Sequence, residues 1–263
     1  MSVSGREKAQ LAQCERQVYK KEQNFMQLSV KDYNEIDNWK TAMFLYNAAL
    51  KEVGTKLDIL NDEFQYVHKY NPIEHIKSRI KTPESIAKKL KRHGKEITIQ
   101  NMLREVNDVA GVRLICSYTT DIYRLAEMIG NQSDLKVISV KDYIKNPKES
   151  GYKSYHMLVT VPIYLSDSVV DTKVEIQIRT IAMDFWASLE HKMHYKFEGQ
   201  APEYISEELK RCSEIVSTLD ERMLSLNEAI LASQTQEKET IEIPYAMNTD
   251  IANNPLIRFE KKE

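Results

Sequence analysis

The stretch Lys173-Val174-Glu175-Ile176-Gln177-Ile178-Arg179 constrains the fold more than any other segment of the chain. Val174, Ile176 and Ile178 alternate with Glu175, Gln177 and Arg179, which is the two-residue period of a β-strand with one apolar and one polar face. A half-exposed strand usually shows solvent a mixed set of small polar side chains. This one aligns an acid, an amide and a guanidinium. Together they can bind a metal or take a proton, read a hydrogen-bonding edge, and hold a phosphate. The same alternation also suits an ordinary solvated face, so function has to come from what the chain brings beside this strand.

A chain of 263 residues, 42% hydrophobic and 29% charged, is long enough to bury a core, as one domain with helical additions or as two small domains. Its net charge of −2 conceals local imbalance. Cys14, Cys116 and Cys212 are odd in number and far apart, which suggests neither a disulfide framework nor a cysteine zinc site and fits a reducing compartment. No apolar run approaches the ~20 residues that span a bilayer, and the N-terminus has no secretory h-region. A cytoplasmic protein is expected.

Residues 1–30, rich in Lys, Gln and Glu, read as a flexible lead-in. Residues 31–232 form the expected functional domain, and 233–263 a disordered tail. From Ile36 to Val67, apolar residues at alternating spacings of three and four predict a long helix that Gly54 weakens and Asn71-Pro72 ends. Thr82 as N-cap, Pro83 at the first position and Gly94 beyond the end predict a second helix. Around it gather Lys77, Arg79, Lys81, Lys88, Lys89, Lys91, Arg92 and Lys95, with Glu84 opposing. So one-sided a cluster suits a polyanionic partner as well as a solvated face. Strands are expected from the apolar run within 107–118, with Asp108 at its mouth and Arg113 within it, and near 136–140, 155–161 and 173–179. Helices are expected over 121–129 and from Thr180, the latter with a stripe of Ile181, Phe185, Leu189 and Met193. Over residues 204–232, Ile205, Leu209, Cys212, Val216, Leu219, Met223, Leu226 and Ile230 form a heptad seam, to be covered either by the first long helix or by another subunit. The fold class is α+β: a mixed β-sheet flanked by helices, with long helices at both ends.

Asp108 and Glu175 each lie beside an expected core strand, where an acid is unusual unless it is paired or binds a cation. Two carboxylates plus nucleotide phosphates suit Mg²⁺, which keeps oxygen ligands and several waters. In Gly151-Tyr-Lys-Ser-Tyr-His156, Lys153 and Ser154 can bind phosphate, and Tyr152 offers a face on which a base can stack. The chain has neither a P-loop signature nor a Gly-x-Gly-x-x-Gly fingerprint, which closes those routes to nucleotide binding.

Four segments, in this order, resemble the synthetase domain of the RelA/SpoT family. They are Arg79-Ile-Lys81 with Ser85 and Lys89, Asp108-Val-Ala-Gly-Val-Arg113, Gly151–His156, and Glu175 through His191. The resemblance covers about Tyr33 to Ile230 and is to the stand-alone small alarmone synthetases, nearer the RelP-like than the RelQ-like branch. It implies a nucleotidyltransferase-like sheet and a pyrophosphokinase that moves the β,γ-diphosphate of ATP to the 3′-hydroxyl of GDP or GTP. By that resemblance Arg79 and Arg113 sandwich adenine, Lys81, Ser85, Lys89 and Arg92 hold the ATP phosphates, and Asp108 and Glu175 hold Mg²⁺. Glu175 also serves as the base. Tyr152 stacks on guanine, Gln177 and Asp184 contact the acceptor nucleoside, and Lys153 and His156 neutralise phosphate charge. Many members carry Arg where Lys153 stands, and Lys cannot make Arg's forked contact. No His-Asp dipeptide of the family's hydrolase domain occurs, so synthesis without degradation is expected. The resemblance also implies a homotetramer. A non-catalytic RNA-binding module using Lys77–Lys95, or another nucleotidyltransferase, are the alternatives. The choice between GDP and GTP, and any control by product, zinc or RNA, has no motif to read.

Overall fold

The computed structural model describes residues 39–196 and 202–239. The expected lead-in, Ile36, and the tail beyond Glu239 lie outside the described residues. The elements in chain order are α1 (Trp39–Tyr66), β1 (Ile73–Ile80), α2 (Pro83–Arg92), α3 (Ile99–Glu105), β2 (Ala110–Cys116), α4 (Thr119–Gly130), β3 (Lys136–Asp142), β4 (Tyr155–Tyr164), β5 (Val169–Thr180), α5 (Ile181–Lys196) and α6 (Glu203–Glu239). The chain divides into two compact units, one up to Arg222 and one from Met223 onward.

The strands form one five-stranded sheet in the order β1-β2-β5-β4-β3. β2 and β5 run parallel at its centre, while β1–β2, β5–β4 and β4–β3 are antiparallel. The alternation in β5 sets the sheet's two faces. Val174, Ile176 and Ile178 are fully buried and join a core with Val112, Leu114 and Val159 from neighbouring strands. Ala42, Leu45, Tyr46, Ala49, Val53, Leu57 and Phe64 of α1, and Ile122, Leu125 and Ile129 of α4, complete that core. Each fully buried aliphatic side chain contributes about 1.5–3 kcal/mol. That outweighs the cost of about 1 kcal/mol for Gly54 inside α1, so the helix runs through it unbroken.

Several expectations need correction. Lys77 and Arg79 lie on strand β1, which leads directly into the helix that follows. In β1 the isoleucines fall at 73, 76 and 80, a helical spacing, because this edge strand is exposed at most positions. The sequence pattern also missed α3, a short helix capped by Thr98, whose Oγ1 accepts from Asn101 N at 3.1 Å. On α5 the expected stripe faces outward: Ile181, Phe185 and Leu189 are exposed, whereas Met183, Trp186 and Ala187 are buried. The last helix continues past residue 232 to Glu239, because Gln, Glu and Lys sustain a helix without any apolar pattern. Thr82 and Pro83 do open α2, and Gly94 follows it at φ +66°.

Candidate active site

Strand register assembles the site. Residues paired across a sheet present their side chains on the same face. One row crosses all five strands: Lys77, Arg113, Gln177, His156 and Lys141. The adjacent row holds Arg79, Gly111, Glu175 and Leu158. Gly111 leaves space that the Arg79 side chain uses, with Cγ and Nε each 3.8 Å from where a Cβ would sit. A cleft of about 100 Å³ opens here, lined by Lys77, Ser78, Arg79, Gly111, Val112, Arg113 and Gln177.

Beside the cleft, five side chains form a closed hydrogen-bonded ring. Arg179, 4% exposed, donates from Nη2 to Tyr152 Oη at 2.6 Å and to Gln177 Oε1 at 3.0 Å. Tyr152 Oη lies 2.8 Å from His156 Nε2, and His156 Nδ1 lies 3.3 Å from Glu175 Oε1. Gln177 Nε2 closes the ring by donating to Glu175 Oε2 at 2.7 Å. Arginine only donates, so the Tyr152 hydroxyl accepts from Arg179 Nη2, and His156 bridges Tyr152 and Glu175 through its two ring nitrogens. Asp184, in the first turn of α5, receives Nη1 of both Arg179 (3.1 Å) and Arg113 (3.0 Å).

Charge is tuned by the same contacts. Burial pushes the Glu175 carboxyl up, but hydrogen bonds from His156 and Gln177 prevail and hold it below the usual range, while the Asp108 charge works against them. Burial likewise raises Asp108. Lys81 Nζ at 2.8 Å from Oδ2 and Lys89 Nζ at 2.7 Å from Oδ1 overcome that and lower it to about 2. Arg113 is lowered by burial and by the Arg179 charge. Lys173 anchors the Asp108 loop by donating to Leu103 O at 2.8 Å and Asn107 Oδ1 at 3.1 Å.

The structure therefore gathers Glu175, Gln177, Tyr152, His156, Asp184 and Arg113 into one contact network, and Lys81, Lys89 and Asp108 into a second. Arg79 lines the cleft, Ser85 shares a hydrogen bond with the capping Thr82, and Arg92 ends α2. Lys153 points its ammonium to Ser217 on α6, 2.6 Å away. Two features escaped sequence reasoning, the burial of Arg179 and the place of Lys148. Arg179 is a buried hub rather than an open phosphate grip. Lys148, in the 143–151 loop, places Nζ 4.8 Å from the Tyr143 ring centre and 4.7 Å from that of Tyr152. Only the polar character of that loop hinted at Lys148.

Among the described residues, no group of three or more His, Cys, Asp or Glu is arranged to hold a metal. Asp108 and Glu175 are each mostly buried and feel each other's charge. A pair of carboxylates of this kind fits a divalent ion that takes its other ligands from phosphates and water. A cationic cleft, two acids and an aromatic side chain gathered beside the sheet are the kinds of parts that phosphoryl transfer between nucleotides uses.

Residues 78–200 match the family model described as the region found in RelA / SpoT proteins. The chain is 44% identical over 209 residues to GTP pyrophosphokinase YwaC of Bacillus subtilis, covering 78% of this chain and all of that relative. It superposes on the crystal structure of the Bacillus subtilis small alarmone synthetase 1 bound to its product pppGpp, with a TM-score of 0.69 and 36% identity over 73% of this chain and 97% of that one. The same enzyme bound to AMPCPP matches with a TM-score of 0.63 and 31% identity, over 74% and 99%. The chain belongs to the RelA/SpoT family.

Proposed function

We propose that the protein is a (p)ppGpp synthetase, transferring the β,γ-diphosphate of ATP to the 3′-hydroxyl of GDP or GTP. The observation that carries this reading is the register that sets Arg79, Arg113, Glu175, Gln177 and His156 in two neighbouring rows beside the Lys81–Asp108–Lys89 cluster. Arg79 and Arg113 flank the cleft and hold adenine. A guanidinium can stack by its face while pairing through its edge, so the Arg113–Asp184 pair is compatible with that role. Lys81, Lys89, Ser85 and Arg92 hold the ATP phosphates. In the free protein the two lysines neutralise Asp108, and phosphate oxygens compete for them. Asp108 and Glu175 would hold Mg²⁺, which when bound would supply charge neutralisation and lower the pKa of the attacking hydroxyl. Glu175 is ionised at neutral pH and accepts the 3′-hydroxyl proton, while His156 and Gln177 fix its orientation. Tyr152 stacks on guanine. Both Lys148 and Arg179 lie over its ring, and Lys148, being exposed, is the one that gives way. Gln177 and Asp184 contact the acceptor, and Lys153 and His156 offset its charge.

The finer readings belong to the same proposal. The two cysteines among the described residues are free, as suits a cytoplasmic enzyme, and no described helix is long and apolar enough to cross a membrane. Leu219, Met223, Leu226 and Ile230 of α6 remain about half exposed, and this supports self-association into a homotetramer.

Incubation with labelled ATP, Mg²⁺ and GDP or GTP tests the activity. The expected products are AMP and a nucleotide diphosphorylated at its 3′ position. Release of inorganic pyrophosphate instead marks a nucleotidyl transfer and rejects the proposal.

A further inference from the structure

Helix α6 reaches the acceptor site at three points, all within the unit that ends at Arg222. The Ser213 hydroxyl donates to the carbonyl of Gly151. Ser217 accepts from Lys153 Nζ at 2.6 Å and donates to the Ser213 carbonyl at 2.9 Å. Asp220, 9% exposed, accepts from the Thr180 hydroxyl at 2.7 Å, and Thr180 Oγ1 in turn accepts from Met183 N at 3.1 Å at the start of α5. These three residues recur every three or four positions, so they share one face of the helix. That face is polar, although the chain's apolar seam runs along the same helix. Gly151 adopts φ +88°, and a Cβ there would lie 2.8 Å from Ser213 Cβ. The loop backbone is therefore pressed directly onto α6.

What lies between the attachment points is the acceptor platform. Tyr152 sits between the two clamped residues Gly151 and Lys153. Asp184, one residue beyond Met183, takes both Arg113 and Arg179. Side-chain hydroxyls and a carboxylate on an inward helix face are costly to bury unless paired, and here each is paired to a piece of this platform.

We propose that Ser213, Ser217 and Asp220 are positioning residues for the acceptor nucleotide: α6 holds the 151–153 loop and the first turn of α5 in the geometry that receives the guanine nucleotide. This rests on the synthetase reading above. It predicts a selective effect for Ser217 and Ser213, because the Arg79–Arg113 cleft and the Lys81–Asp108–Lys89 cluster share no residue with the Ser213–Gly151 and Ser217–Lys153 contacts.

The test compares full-length wild type with Ser217→Ala, Ser213→Ala, Ser217→Thr and Thr218→Ala. Thr218 donates only along its own helix, to Glu214 O. Steady-state KM is measured for each substrate, and GDP binding is followed by titration calorimetry without turnover. A hydrogen bond to a charged group predicts a change on the order of tenfold. Ser217→Ala should raise the GDP KM and Kd by about that factor and leave the ATP KM within about twofold. Ser217→Thr, which keeps the hydroxyl, should restore both, and Thr218→Ala should change neither. The proposal is overturned if Ser217→Ala binds GDP like wild type, if KM rises equally for both substrates, or if Thr218→Ala matches it. Wild type that makes no 3′-diphosphate product rejects the synthetase activity, whereas active wild type with an indifferent Ser217→Ala rejects only the positioning role.

Discussion

At the scale of single residues, the site works by setting opposing charges against burial. Asp108 shows the balance most clearly. Its folded pKa of about 2 lies below the unfolded value of 3.8, so ionised Asp108 stabilises the fold above about pH 4 and that contribution is lost as pH falls toward 2. At about 1.4 kcal/mol per pKa unit this amounts to about 2 kcal/mol. Asp108→Asn should therefore lower stability by about that much at pH 7, in urea unfolding, and the deficit should close toward pH 2. A deficit independent of pH would show that the ion pairs are not its source. Glu175→Gln removes the proton acceptor while keeping shape and most hydrogen bonds. Alarmone synthesis should fall by at least about 10²-fold, whereas RNA binding through the Lys77–Lys95 cations should barely change. Turnover that survives the substitution would remove Glu175 from the catalytic role. Both acids were visible in the sequence, because an acid beside an apolar strand needs a reason. Arg179 was visible too, but its burial was not: alternation tells which face a side chain takes, and says nothing about what lies over that face.

At the scale of elements, legibility followed the strength of the local pattern. The α1 stripe and the β5 alternation were read correctly because each buries one face against a single layer. β1 was missed because an edge strand has little to bury, and its isoleucines fall at a helical spacing. The α5 stripe was read on the wrong side, since Met183, Trp186 and Ala187 are the residues that pack. Spacing alone does not distinguish a covered stripe from an uncovered one. Gly54 allows a clean test of helix propensity within α1. A Cβ there meets nothing within 4 Å, and its backbone is helical. Gly54→Ala should stabilise the protein by about 0.5–1 kcal/mol, seen as a higher melting temperature with unchanged activity. A loss of stability would mean that α1 needs the glycine for something beyond its backbone.

At the scale of the whole molecule, the outward face of α6 is the feature left over after folding. Leu219, Leu226 and Ile230 are 52%, 58% and 55% exposed, an arrangement expected of a seam meant for another copy. Leu219→Glu with Leu226→Glu should reduce the mass seen by light scattering to that of a smaller species, while far-ultraviolet circular dichroism stays unchanged. An unaltered mass would place the interface elsewhere. The sequence by itself determined which segments carry charge, which face of each strong helix or strand is apolar, and the four motifs that tie the chain to its family, because these depend only on residue type and short-range period. Only the tertiary structure decided the strand order and register that set Lys77, Arg113, Gln177, His156 and Lys141 in one row, and the closure of the Arg179 ring. It also decided the grip of α6 on Gly151 and Lys153. Those contacts join residues tens of positions apart, and their geometry follows from how whole layers settle against one another.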